Sequence, residues 1–143
     1  MTQPNKTRLT WEQFHQDVKV LCQKIKESGS YNKIIAISRG GLIPAGIVAY
    51  ELNIRNMSTV NIISYHDDRQ LNKADVFGFD GQADRRTLII DDLSDTGRSI
   101  KLLRQLIPNA VYATVYAKPD GLDAPDIYAK EMPNSWVAFP WDV

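Results

Sequence analysis

Residues 91–99, DDLSDTGRS, crowd three aspartates, several hydroxyl residues, a glycine and an arginine into one short stretch. The run TLII before it, residues 87–90, reads as a buried strand. SIKLLRQLI, residues 99–107, reads as a helix with Leu102, Leu103, Leu106 and Ile107 inward, ended by Pro108. With the strand ending at Asp91, the residues between form a tight loop that runs into a helix N-terminus. Such a loop collects unpaired backbone N–H groups at the positive end of a helix dipole, which suits a phosphate. Thr96 and Ser99 add hydroxyl donors, Gly97 permits close backbone approach or positive φ, and Arg98 offers a charge-assisted bond.

A phosphate cradle alone has no use for carboxylates. Asp91 and Asp92 at a strand end suit the hydroxyls of a ribose, or a Mg²⁺ held partly by carboxylate and partly by ligand oxygens. Asp95 is left to face a reacting group as acid or base. Phosphate donors and sugar-binding carboxylates in one loop imply a sugar phosphate ligand. Asx turns and helix capping explain one of the aspartates and leave the others without a reason.

The elements that must hold this loop follow from periodicity. Trp11, Phe14, Val18, Leu21, Cys22 and Ile25 recur at helical spacing, Thr10 and Gln13 have capping-box spacing, and Leu9 with Phe14 has staple spacing. A helix is therefore expected from Thr10 to near Gly29. KIIAI (33–37), TVNII (59–63) and VYATVYA (111–117) are further strands, and LIPAGIVAYEL (42–52) is a helix that tolerates Pro44 in its first turn. Strands of buried type alternating with helices predict an α/β domain with a parallel sheet, whose ligands bind beyond the carboxyl ends of the strands. SRGG after KIIAI, DDLSDTG after TLII and AKPDG after VYATVYA stand at such ends. Residues 64–86 form a long polar insertion, a length that inside compact domains is either functional, as in a lid, or a mobile surface insertion, and the segment alone fits both; Val76, Phe77 and Phe79 in it read as a short edge hairpin.

At 143 residues the chain has the size of a single domain, and 43% hydrophobic with 24% charged residues is an ordinary globular balance. Seventeen basic and seventeen acidic side chains cancel, which leaves no global field for nucleic acid or an anionic membrane. Cys22, the lone cysteine, excludes an intramolecular disulfide, fits a reducing cytosol and reads as a buried spectator. MTQPNKTRLT lacks the apolar run of a signal peptide, and no stretch approaches the ~20 apolar residues of a membrane span. A cytoplasmic protein is expected.

LIIDDLSDTGRS resembles the signature of the type I phosphoribosyltransferases: an apolar strand, an acidic pair, then D-T-G and a small hydroxyl residue. SRGGLIPAGIVAYEL, ISY, AKPDG and SWVAFPWD resemble the bacterial xanthine-guanine branch of that family, in the same order and with similar spacing, over nearly the whole chain. The resemblance implies a purine salvage enzyme that moves the 5-phosphoribosyl group of 5-phosphoribosyl 1-pyrophosphate (PRPP) onto guanine, xanthine or hypoxanthine. It implies the 5′-phosphate on Asp95, Thr96, Gly97, Arg98 and Ser99, ribose hydroxyls facing Asp91 and Asp92, and Mg²⁺ at Asp92. Arg39 and Gly40 match residues that in relatives bind pyrophosphate, often through a cis peptide. Lys118 matches the reader of the 6-oxo group, Trp136 the aromatic that packs on the ring, Val137 a backbone contact at the 2-position, and Asp95 the residue near N7 that takes the purine proton.

The same resemblance implies one domain over residues 1–143, with a lid loop at about 64–86 and a purine-binding hood at about 118–143, and it places Arg69 in the lid against phosphate. It also implies a homo-oligomer, tetramer or dimer, cytoplasmic and in some relatives peripherally bound to the inner membrane. The chain departs from the pattern at Arg98, where close relatives often carry glycine, and it stops at Val143, directly after PWD, where relatives continue. Two other functions compete. A regulator of the same fold that binds PRPP without turnover usually carries a basic surface, and none accompanies zero net charge. A receiver-like signalling domain needs a phosphoacceptor Asp ending a later strand, whereas VYATVYA ends in Ala117 and Lys118.

Overall fold

A computed structural model describes residues 6–64 and 74–143. In chain order its elements are β1 (Lys6–Arg8), α1 (Trp11–Ser28), β2 (Lys33–Ser38), α2 (Leu42–Leu52), β3 (Met57–Ser64), β4 (Ala74–Phe77), β5 (Thr87–Ser94), α3 (Arg98–Leu106), β6 (Val111–Ala117), β7 (Ile127–Glu131) and β8 (Trp136–Ala138). Six strands make one sheet in the order β4-β3-β2-β5-β6-β7. All its pairings are parallel except β3 with the edge strand β4. A small second sheet pairs β1 with β8 in parallel. This is the expected α/β domain.

The apolar strand runs are buried on both faces because the sheet has a core on each side. Ile34 and Ala36 of β2 and Leu88 and Ile90 of β5 join a core under α1 and α2. The alternate residues Ile35, Ile37 and Ile89 face the other way, into a core closed by Ile100 and Leu103 of α3 and by Ile107. α1 begins as its spacing predicts: Thr10 Oγ1 accepts from the Gln13 N–H at 3.1 Å, and the Gln13 side chain accepts from the Thr10 N–H at 3.0 Å. Its stripe Phe14, Val18, Leu21, Cys22 and Ile25 is buried, with Leu9 packed against the same core. Burial, with the charge of Glu51 adding to it, pushes the Cys22 thiol up to about 11, so it stays protonated and takes no nucleophilic part.

Two expectations need correction. β5 does not end at Asp91; it continues through Ser94, with Asp91 opposite Thr114, Leu93 opposite Tyr116 and Ser94 opposite Ala117 on β6. The acidic pair thus lies inside a strand rather than beyond it, because β6 supplies ladder partners that local sequence does not show. α3 starts at Arg98, and Leu106 is half exposed while Leu102 is only partly buried, since the short helix turns Ile100 and Leu103 inward instead. Lys33, at the start of an apolar run, is buried because Asp80 receives its ammonium at 2.8 Å and the Gln82 carbonyl accepts at 2.6 Å.

That lysine ties the second part of the long insertion to the sheet. Its residues 74–77 form β4, the expected edge hairpin with β3, whereas Arg69 and the stretch 65–73 lie outside the described residues. Among the described residues, no helix is long and apolar enough to cross a membrane. The chain's C-terminal part docks through rings: Phe14 meets Phe139 edge-on at 6.3 Å and Trp141 at 4.9 Å, and Phe139 stacks on Trp141 at 4.8 Å. Tyr116 joins them and donates its hydroxyl to Asp17 at 2.6 Å. Phe14→Ala should remove the hub of this cluster and destabilise the fold by about 3–5 kcal/mol, read as a lower urea midpoint. A midpoint equal to wild type would show that the rings do not hold α1 to the C-terminal strands.

Candidate functional site

The site forms where β2, β5 and β6 end side by side. Beyond β5 the chain turns through Asp95, Thr96 and Gly97 into α3. Gly97 caps the helix at φ +79°, a conformation that favours glycine, and a Cβ there would stand 2.5 Å from the Ala124 methyl carbon. Gly97, as the N-cap residue, supplies no side-chain cap, and the helix start presents the positive end of its dipole to a ligand. A pocket of about 100 Å³ opens over this helix start, lined by Asp91 and by residues 93–100. The Thr96 hydroxyl accepts weakly from the Arg98 N–H at 3.4 Å, and Ser99 is exposed at the rim. Arg98 is exposed and has an interaction of its own.

Of the acidic pair, Asp91 lines this pocket and Asp92 does not. The Asp92 N–H donates to Asp91 Oδ1 at 2.8 Å. Burial first and the Asp92 charge second push the Asp91 carboxyl well above the usual carboxylate range, and burial also raises Asp92, which further feels the charge of Asp142. Two neighbouring carboxylates that resist joint ionisation are stabilised by a cation or by hydroxyl donors. Their hard oxygens fit a Mg²⁺ that draws its other ligands from substrate and water. Among the described residues no cluster of three or more His, Cys, Asp or Glu could hold a metal without such help.

The turn after β2 closes over this pair. The Ser38–Arg39 peptide is cis, as the resemblance implies, and a Cβ on Gly40 would fall 2.7 Å from Asp92 Oδ1. Only a glycine lets the Arg39–Gly40 backbone lie against that carboxylate. Arg39 itself is exposed. From β6, Lys118 is buried at 7% exposure, its N–H donates to the Ser94 carbonyl at 2.9 Å, and its ammonium stands 3.5 Å from Asp95 Oδ1. The fold therefore gathers Arg39, Gly40, Asp91, Asp92, the loop 95–99 and Lys118 at one sheet edge.

Trp136 and Val137 are carried by the separate β1–β8 sheet, in register with Lys6 and Thr7. The Trp136 ring is 70% exposed, an open stacking face, while the Val137 side chain is buried in the core and leaves only its backbone to a ligand. Two residues of this region escape a reading by local sequence. Ser94 sits in the middle of the motif but makes its contact with Gly121, 27 positions away. Asp142 caps its own turn, accepting from the Phe139 N–H at 2.8 Å, and its charge reaches Asp92. The PWD ending carries the only local sign of the latter.

A family model described as a phosphoribosyl transferase domain matches residues 7–143. The xanthine-guanine phosphoribosyltransferase of Nitratidesulfovibrio vulgaris is 44% identical over 135 residues, which span 94% of this chain and 83% of that protein. The enzyme of the same name from Desulfotalea psychrophila is 43% identical, with 94% and 84% covered. Among solved structures, a purine phosphoribosyltransferase from Pyrococcus horikoshii superposes with a TM-score of 0.83 at 26% identity, covering 97% of this chain and 95% of the other.

The raised Asp91 carboxyl makes stability depend on pH. Its folded state holds a proton more tightly than the unfolded chain, so its contribution is full below about pH 4 and is lost as the pH climbs through the elevated folded value. Asp91→Asn abolishes that loss. The variant should melt above wild type near neutral pH, with the gap shrinking toward about pH 4. Melting curves at both ends of that range decide it; a variant that melts lower at neutral pH would show that Asp91 is not held in its protonated form.

Proposed function

The chain belongs to the phosphoribosyl transferase family, on the branch of the bacterial xanthine-guanine phosphoribosyltransferases, and on that premise we propose that it transfers the 5-phosphoribosyl group of PRPP to guanine, xanthine or hypoxanthine, releasing pyrophosphate. The observation that carries this substrate choice is the buried Lys118 ammonium 3.5 Å from Asp95, beside the phosphate loop. A cationic donor recognises the 6-oxo acceptor of these bases and finds no comparable acceptor on a 6-amino group. The neighbouring carboxylate takes the proton that the purine gives up.

The donor is read across the sheet edge. Its 5′-phosphate lies on the α3 start with Asp95, Thr96, Gly97, Arg98 and Ser99 around it, supported by the positive end of the helix dipole. Its ribose hydroxyls meet Asp91 and Asp92, and the pyrophosphate meets Arg39 and the Arg39–Gly40 backbone. Mg²⁺ held by Asp92 would supply electrostatic stabilisation of the leaving pyrophosphate. Arg39 adds a fixed positive charge to the same developing anion. As the bond from C1′ to the pyrophosphate oxygen breaks, its electron pair leaves with pyrophosphate, and a purine nitrogen attacks C1′. Asp95 accepts the purine proton, Lys118 holds the 6-oxo group, Trp136 covers the ring, and the Val137 backbone meets the 2-position.

Water must be kept from the sugar cation during this exchange. We assign that task to the insertion at 64–86, with Arg69 on phosphate, and the purine enclosure to residues 118–143. The exposed apolar side chains Tyr50, Met57, Ile63 and Phe77 support a homo-oligomer, dimer or tetramer, built on α2 and the β3–β4 edge. A cytoplasmic location belongs to the same proposal; the peripheral membrane association implied by the resemblance has no support in the fold.

Purified protein with Mg²⁺ and PRPP should form nucleotide from guanine, xanthine and hypoxanthine and not from adenine. Absence of product with every base, PRPP binding being retained, would instead make the chain a donor-binding regulator. In the same assay Asp95→Asn should lower kcat by about 10²–10⁴-fold while melting like wild type. Undiminished kcat would remove its role as proton acceptor.

A further inference from the structure

β5 and β6 run together until Ser94 opposite Ala117 and then part, one chain turning into the phosphate loop and the other into a 3-10 turn, Pro119–Gly121. Both ends of that second turn are fastened to one residue. The Lys118 N–H donates to the Ser94 carbonyl at 2.9 Å, and the Ser94 hydroxyl, 3% exposed, donates to the Gly121 carbonyl at 2.7 Å. The Gly121 N–H closes the ring on the Lys118 carbonyl at 2.8 Å. The approach is close enough that a Cβ on Gly121 would meet the Ser94 carbonyl oxygen at 2.3 Å and its Oγ at 2.6 Å. From the backbone on either side of this clasp project Asp95 and Lys118, the pair 3.5 Å apart.

We propose that Ser94 is a positioning residue for the transfer: its hydroxyl, by holding Gly121, sets the separation between the Lys118 ammonium and the Asp95 carboxylate, and with it the fit of the purine. The inference rests on the roles given to Lys118 and Asp95 above. A loop that carries a reading cation has to be held by polar bonds in fixed directions, since a hydrogen bond loses strength steeply with misalignment and apolar packing has no direction. A buried serine hydroxyl on the last strand residue meets that need, and losing it leaves the Gly121 carbonyl only its long bond from the Ala124 N–H at 3.4 Å.

The far end of the segment has its own support, which keeps the effect local. Ala124 packs on Gly97, and the Arg104 guanidinium donates to the Ala124 carbonyl at 2.9 Å. Arg104 also meets Asp126 at 3.0 Å and lies 4.3 Å from the centre of the Tyr112 ring, while Asp126 accepts from the Tyr112 N–H at 2.8 Å. Removing the Ser94 hydroxyl therefore frees the turn at Gly121, leaves Lys118 tied to Ser94 only by its backbone bond to the Ser94 carbonyl, and keeps the phosphate loop seated against Ala124.

Ser94→Ala tests this. With the wild type as reference, the variant should raise the KM for guanine roughly ten-fold while the KM for PRPP stays within about two-fold, with a melting temperature lower by only a few degrees. Gly121→Ala, which wedges the same clasp open from the opposite side, should shift the same parameter in the same direction. Unchanged base KM in Ser94→Ala, or an equal rise for PRPP, would overturn the proposal, the second because Ser94 would then merely shape the phosphate loop. A crystal structure of Ser94→Ala judges the inference apart from turnover: the Lys118–Asp95 pair should open beyond ion-pair reach, and a pair superposing on wild type would refute it. A wild type without turnover would count against the proposed function and leave that structural comparison to decide on Ser94.

Discussion

Two adjacent carboxylates built into a central strand govern this structure. Charge taken out of water is unfavourable, and Asp91 and Asp92 face that penalty together, with the result that burial and mutual repulsion raise their affinity for protons. A hydrophobic pair of similar size would suit the strand better. Their retention is intelligible if the strand end must offer hard oxygens to a cation or to hydroxyl groups when ligand arrives. The neighbouring elements conform to this demand. Gly40 carries no side chain because Asp92 fills the space, and the helix after the motif points the positive end of its dipole at the same opening.

The surrounding fold makes such a site tolerable by rigidity elsewhere. β5 is paired on both sides, with β2 and β6, and its apolar residues feed two cores. The well-packed half of the strand anchors the polar half, so backbone position beyond Ile90 is dictated by ladder bonds and not by the side chains that do chemistry. The proposed site draws on three strand ends set side by side: the cis turn at Ser38–Arg39, the loop after Ser94, and the turn that begins at Lys118. This is the geometry expected of a parallel sheet, whose carboxyl ends share one edge.

Charge complementarity completes the arrangement. Among the described residues Lys118 is one of two buried lysines, and each is matched by an aspartate: Lys33 by Asp80, which ties the insertion to the sheet, and Lys118 by Asp95, which joins the two sides of the proposed purine site. The first pair has carbonyl support from Gln82 and is structural. The second is longer, at 3.5 Å, and its carboxylate is largely open to solvent, so it can exchange its partner for a ligand.

Local sequence carried the elements whose signals are short-range: the Thr10–Gln13 capping box, the α1 stripe, the extent of β6, and a glycine at the phosphate loop that needs φ +79°. Those depend on i to i+3 contacts or on a single residue's allowed conformations, and they are the same in any fold. The motif DDLSDTGRS likewise announced a sugar phosphate by chemistry alone. Tertiary structure decided what no window contains. β6 extended β5 through the acidic pair, α3 exposed Leu106 by choosing which of its leucines to bury, and Asp80 made Lys33 a core residue. It also decided that Ser94, unremarkable by type and neighbours, holds a residue 27 positions away. The physical reason is common to all of these: burial and hydrogen-bond partnership are properties of pairs of segments, and a pair exists only once the chain has folded.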